Sequence, residues 1–366
     1  MAGSTEAFLN AGGLRHARFV WMFGAILGTL LACGIGANFL LDPLMMFHRP
    51  WVGPYYASNE RYRVPGFARS LDYDTAIVGA STAMAIMPGE VRAILGGAPV
   101  IQVIGGATIS EESLAVNVTA QQGKLKRVIW LVDPVVFSFG DRRADAQLPE
   151  YLYVGGASNL LRYLLDRATF TMSLTLARHL LDGSRSDEFV SSLDALYRLP
   201  APSEYSNAAV KEAFYSEKAL AELQRRERAV YLAFDESKVA KTFDRHVFET
   251  IKMHPRVKFE IVLTPSSVAF YQYISRHFPK RFEQSLFVRK LAYERIMGLP
   301  NARLFDMQTD TAITEDYRNF NDMLHFSPGV GNRILEAIRD GKAVSDVSEP
   351  AARAHLIDSV ARVPLP

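Results

Sequence analysis

No charged side chain occurs between Phe19 and Leu41. In hydrocarbon every backbone N–H and C=O must be paired within the segment, so a lone run of this kind has one stable form, an α-helix, and roughly 20 residues of helix cross a bilayer. Arg15, His16 and Arg18 precede the run, and Trp21 stands where an interfacial aromatic anchor sits. The pattern predicts a short cytoplasmic tail (1–18), a single-pass inner-membrane anchor (19–41), and a main domain in the periplasm or outside the cell. Arg49 and Arg61 lie on the far side, which makes the positive-inside asymmetry modest. Two alternatives stay open. Gly34-Ile35-Gly36-Ala37 could serve as a signal-peptide cleavage site, although such peptides have shorter apolar cores. Cys33, after Leu30-Leu31-Ala32, could instead be lipidated, although the mature chain would then begin on an apolar stretch.

The remaining composition narrows the function classes. The chain has 366 residues, and 49 % hydrophobic content is ample for a large core. A net charge of +2 without any block of like charges gives nucleic-acid binding no electrostatic support. Cys33 is the only cysteine, and the eight histidines are scattered without zinc-like spacing. No disulfide, structural metal or cofactor is expected.

After the anchor, residues 42–70 are rich in Pro, Tyr and Arg and read as an irregular linker packed onto the domain. Short apolar runs, most of them carrying β-branched residues, then alternate with helical patterns. Strands are expected at Thr75–Val78, Pro99–Ile104, Arg127–Val132, Val257–Leu263 and Arg303–Asp306. None shows clean polar alternation, the mark of parallel strands buried on both faces. Helices are expected at Glu112–Gln122, in parts of Ser285–Met297, and at Pro328–Arg339. The fold class is therefore α/β: a doubly wound, mostly parallel, flavodoxin-like sheet spanning 71–340, with ligands at the carboxyl ends of its strands. Residues 134–255 form a long insertion with helical periodicity in Leu160–Leu181 and Glu217–Met253, read as a helical cap or subdomain on the same sheet. The segment 341–366 reads as a loose terminus, with a partner-binding segment as the alternative.

Four places carry candidate chemistry. Ser81 follows the first strand in Gly79-Ala80-Ser81-Thr82, so its hydroxyl belongs at the crevice edge. It reads as a nucleophile or as part of a plain tight turn. Asp322 and His325 stand three apart, ahead of a Ser327-Pro328 helix start. That spacing lets one turn bring a carboxylate to imidazole Nδ1 and leave Nε2 as a general base. Gly105 and Gly106 end the second strand and could supply a backbone oxyanion donor or simply turn the chain. Asp133, ahead of Pro134, could orient substrate or cap its own turn. Thr108-Ile109-Ser110-Glu111 has the form of a capping box, which makes Glu111 structural.

Taken together, Ile77-Val78-Gly79-Ala80-Ser81, Val103-Ile104-Gly105-Gly106-Ala107, the late Asp322-Met323-Leu324-His325 and the anchor followed by Asn38-Phe39-Leu40-Leu41-Asp42-Pro43 resemble the SGNH/GDSL hydrolase superfamily, in its membrane-anchored DltD-like branch. The resemblance implies Ser81 as nucleophile, His325 as base, Asp322 as its orienter, and oxyanion donors from the Ser81 and Gly106 backbones. It differs in two places. The family's first block usually reads Gly-Asp-Ser, and Asp133 stands where the family usually supplies an Asn to the oxyanion hole. The expected function is an O-acyltransferase or esterase, with acetyl the expected group. It would act on a cell-envelope or exported polysaccharide beside a membrane-bound O-acyltransferase or glycan synthase. The rival expectation is a non-catalytic glycan-binding or scaffold component of a secretion complex.

Overall fold

The computed structural model describes residues 3–139, 148–183, 187–197, 199–218, 220, 221, 224, 234–342 and 348–366. Its centre is a five-stranded parallel sheet built from β2 (Thr75–Gly79), β3 (Pro99–Val103), β4 (Arg127–Val132), β6 (Lys258–Leu263) and β7 (Ala302–Asp306), in the order β3-β2-β4-β6-β7. The observed bounds differ from the expected ones by one residue at most. Alternate side chains feed two cores. Val78, Trp130, Ile261 and Leu304 enter one, and Ile77, Ile129, Val262 and Phe305 enter the other. Both sheet faces are thus covered, so the strands lack polar alternation. A separate antiparallel pair, β1 (Tyr56–Ala57) with β5 (Phe189–Val190), ties the 42–70 region to the insertion.

Among the described residues, one helix, Gly3–Leu41, contains a span long and apolar enough to cross a membrane, Arg18–Leu41, a property shared with signal sequences. Its last turn joins the domain. Asn38 is buried, donates to Leu164 O at 2.9 Å and accepts from Ser173 Oγ at 2.8 Å. Asp42 then turns the chain with a φ of +38°, a left-handed conformation that Asp tolerates better than most residues. Its carboxylate accepts from the N–H groups of Met46, Phe47 and His48 and from the Tyr163 hydroxyl.

Three expectations are corrected. Residues 60–70 are helix (Glu60–Ser70), not irregular linker. Pro65 sits inside that helix and cannot bond to the carbonyl one turn back. The Tyr153 hydroxyl supplies that bond, donating to Arg61 O at 2.8 Å. The insertion is not one cap. Ala157–Leu165 and Arg167–Asp182 pack on the end of the apolar helix, while Glu236–Phe243 packs on the Pro279–Ile296 helix and Glu249–Met253 on the Ile109–Ala120 helix, burying Phe243 and Ile251. Near the strand ends, Pro134–Phe139 follows β4 directly, the part around β5 shares a cavity wall with Met84, and Ser206, ahead of the Asn207–Tyr215 helix, donates from N to Phe320 O. Residues 219, 222, 223 and 225–233 of the expected Glu217–Met253 helix lie outside the described residues. Finally, the C-terminal segment carries a docked helix, Glu349–Arg362. Ala352 and Leu356 are buried, and Gln272 Nε2 donates to Val360 O and Val363 O.

Candidate active site

Gly79 ends β2, and only glycine fits there. A Cβ would stand 2.8 Å from Ala83 Cβ and 2.9 Å from Leu131 O. The chain can therefore fold straight back into a 3-10 turn, Ser81–Ala85, which holds Ser81 at the mouth of the sheet. Because β2 lies between β3 and β4, the residues two beyond its last pairs with Val103 and Leu131 are Ser81, Gly105 and Asp133. Three of the sequence-selected positions thus meet at one level. The strand order reverses at this point, where open parallel sheets form their ligand crevice.

The other half of the site arrives on a cinched loop. Phe320 and Phe326 bridge, Ser327 N donates to Asn319 O, and Asn321 N donates to His325 O. Ser267 holds the tip, donating from N and Oγ to Met323 O at 3.1 and 2.9 Å. Within the loop Asp322 Oδ1 accepts from Leu324 N at 2.6 Å and His325 N at 2.7 Å, and Oδ2 lies 2.7 Å from His325 Nδ1. His325 Nε2 is 2.9 Å from Ser81 Oγ. Nδ1–H donates to the carboxylate, which leaves Nε2 to accept the serine proton. Ser327 caps the following helix, Pro328–Arg339, as expected. Gly331 of that helix lies so close to the Ser81 turn that a Cβ would be 2.3 Å from Ala85 O. One glycine therefore mates the element bearing the base to the element bearing the nucleophile.

Electrostatics favour this proton path. Burial works against charge on His325, but the hydrogen bond and charge of Asp322, with the charge of Asp133 added, outweigh it and raise the imidazole pKa. Burial likewise works against the Asp322 carboxylate. The hydrogen bond and charge of His325 and the two backbone donors overcome it and hold the pKa below the usual value. Asp133 is buried, and its negative charge supports the imidazolium that forms when Ser81 loses its proton. An ionised carboxylate cannot donate to an oxyanion, so in that form Asp133 could not stand in for the Asn of the family pattern.

The glycine pair divides. Gly105 N–H is already given to Glu60 Oε2 at 3.2 Å, so it is not an oxyanion donor in this arrangement. Gly106 adopts φ +60°, a turn that favours glycine. Arg61 donates to both carbonyls and pairs with Glu111, at 2.6 Å from Nε to Oε1. Glu111 also closes the expected capping box with Thr108. Glu60 and Arg61 thus set the shape of the glycine loop, and sequence reasoning passed over both as linker. The available signal was Asn59, an N-cap residue directly ahead of them, whose side chain accepts from Arg61 N. Ser206, next to Tyr205, donates from N to Phe320 O at the base of the loop, and burial with the charges of Glu204 and Asp322 raises the Tyr205 pKa.

Among the described residues no group of three or more His, Cys, Asp or Glu side chains could hold a metal ion. The arrangement can take a proton from a serine and hold the imidazolium that results, the first requirement of acyl transfer. No family model matches the sequence, and no curated protein matches it.

Proposed function

We propose that this chain is a serine acyl-transfer enzyme of SGNH/GDSL type, in the membrane-anchored DltD-like branch, with a doubly wound sheet. It acts on O-acyl groups, acetyl in the first instance, of a cell-envelope or exported polysaccharide. The observation that carries the reading is the continuous hydrogen-bond chain Ser81–His325–Asp322, closed between segments 244 residues apart. Ser81 passes its proton to His325 Nε2 while Oγ attacks the acyl carbonyl. The tetrahedral intermediate collapses, and the leaving oxygen takes the proton from His325. An acceptor hydroxyl then gives its proton to His325 and attacks the acyl-serine, and Ser81 Oγ leaves and takes that proton back from His325. A glycan hydroxyl gives transfer and water gives hydrolysis. The insertion brings Asp187, Val190 and Leu196 to a cavity that Met84 of the Ser81 turn also lines, and a wall there favours a positioned acceptor over water.

The domain is held at the outer face of the inner membrane, beside a membrane-bound O-acyltransferase or glycan synthase that delivers acyl groups or polymer. Asn38 and Asp42 fasten the end of the apolar helix to the domain, which supports an anchor that stays attached. Leu161, Leu165, Phe170 and Leu174 are exposed on helices packed against that end, as suits contact with lipid. A reporter fused after Pro366 tests the orientation: activity only on the cytoplasmic side overturns it.

The chemical test is hydrolysis of 4-nitrophenyl acetate by the detergent-solubilised chain, with mass analysis of the quenched Ser81 peptide. An acyl adduct on Ser81, absent from Ser81→Ala, is the expected result. A second reading, a glycan-binding scaffold without turnover, is favoured by one observation: the buried carboxylate of Asp133 stands where an oxyanion donor is wanted. Turnover that is unchanged in Ser81→Ala, or absent from the native chain, would select that reading.

A further inference from the structure

Beside Ser81 lies a second feature that the proton path does not use, a cavity of about 450 Å3. Its walls include Asn59, Glu60 and Arg61 from the start of the Glu60–Ser70 helix, Met84 from the Ser81 turn, and Asp187 and Leu196 from the insertion. Met84 is three residues beyond Ser81 in a 3-10 turn, where such residues eclipse one another on one side. Gly105, level with Ser81 on the neighbouring strand, lies against the same wall. A Cβ on it would be 3.4 Å from Glu60 Oε2 and 3.7 Å from Met84 Cε. Glu60 and Met84 therefore stand between the cavity and Gly105, and Met84 joins the cavity to the turn that carries the nucleophile. The cavity volume falls within the roughly 300–1,000 Å3 of small-ligand sites.

The charges on its walls select a ligand class. Arg61 is engaged by Glu111 and by the carbonyls of Gly105 and Gly106. Glu60 and Asp187 are both carboxylates, and no lysine stands among the lining residues. A uronate or phosphate polymer would bring like charge against them. A neutral sugar finds acceptors in Glu60 and Asp187, a donor in the Asn59 amide, and apolar walls in Met84 and Leu196 for a ring face. We propose that this cavity is the acceptor subsite and that it takes a neutral, hydroxyl-rich glycan and disfavours an anionic one. The assignment rests on the acyl-transfer reading for its role but not for its binding.

Binding can be read without turnover. The Ser81→Ala chain, in detergent and at low salt, is titrated calorimetrically with cellotetraose, mannotetraose and tetragalacturonate. Saturable binding of a neutral tetrasaccharide, at least roughly tenfold tighter than the uronate, is expected. Leu196→Trp, which fills the cavity, should abolish it. Asp187→Lys, at an exposed position that should not disturb folding, should narrow or reverse the preference for the neutral sugar. No saturable binding of either neutral sugar, tighter binding of the uronate, or unchanged preference in Asp187→Lys overturns the assignment. Failure of the acyl-transfer reading looks different: neutral sugar binds as described while the native chain shows no Ser81-dependent ester hydrolysis.

Discussion

Asp42 closes the turn that follows the apolar helix, and Asp322 closes the turn that carries His325. Locally the two are alike. Each carboxylate gathers backbone N–H groups from residues just downstream, Met46, Phe47 and His48 in one case and Leu324 and His325 in the other. They differ in their remaining partner and in their exposure. Asp42 is fully buried and takes the Tyr163 hydroxyl, whereas Asp322 is half-exposed and takes an imidazole N–H. Burial therefore wins at Asp42, raising its pKa in spite of its four donors, while at Asp322 the imidazole and backbone donors win and lower it. The same turn chemistry makes a fixed knot where no cation is near and a proton-handling pair where one is.

The largest test of that contrast is on turnover. Ser81→Ala and His325→Ala should each reduce ester cleavage by about 10³-fold or more, and the double change should add little, because the members act as a unit. Asp42→Ala should leave turnover by the folded fraction unchanged. Additive losses in the Ser81/His325 double variant would break the pairing. Next, Asp322→Asn should cost about 10²–10⁴-fold in kcat by spoiling the His325 tautomer, with little change in denaturation midpoint. Asp42→Ala should do the reverse. It strands buried backbone donors and should remove about 2–4 kcal/mol of stability, read by urea unfolding of the detergent-solubilised chain.

Smaller is Gly331→Ala. The added methyl would push the Pro328–Arg339 helix from the Ala85 carbonyl and misalign Ser81 and His325, costing about tenfold or more in kcat with KM little changed. Unaltered kcat would mean that the two elements tolerate separation.

The smallest effect is in pH dependence. His325 must be neutral to accept the serine proton, and its folded pKa is raised, so the rising limb of the rate profile should lie above the ordinary value near 6.5. Its contribution to stability is complete below about 6.5 and lost as pH rises through the folded pKa. Asp322 works the other way: its contribution is present above about 3.8 and lost as pH falls through its lower folded value. For Asp42, raised on folding, the contribution is present below about 3.8 and lost as pH rises through the folded pKa. The stability difference between the native chain and Asp42→Ala should therefore shrink as pH rises through that value.

The sheet was legible because its strands are short β-branched runs with no polar alternation, and their carboxyl ends follow from the order of elements. Ser81, Asp322 and His325 were legible for a related reason: each sits at a punctuation point, a Gly-Ala turn or a Ser-Pro helix start. The Glu60–Ser70 helix was hidden because Pro65 is a breaker by every local rule. Its helicity depends on the hydroxyl of Tyr153, distant in sequence. Glu60 and Arg61 were hidden with it, since their hold on Gly105 and Gly106 exists only once two remote segments meet. The C-terminal helix was missed because it buries only a few side chains, Ala352 and Leu356 among them, too narrow a stripe to stand out in 341–366.

The separation of Ser81 from its base has a consequence for how the protein is made. β2, at the heart of the sheet, can pair with β3 and β4 as soon as those strands emerge, because chains begin folding from the N-terminus during synthesis. β6 and β7 follow, and the loop bearing His325 comes after the edge strand. Closing so long a loop adds little entropy per added residue, but it must wait for the C-terminal elements to exist. A nascent or truncated chain therefore carries a serine with no base. On the acyl-transfer proposal such a chain would be inert toward acyl donors until the loop bearing His325 has emerged and docked, so the arrival of that loop is the event that arms it.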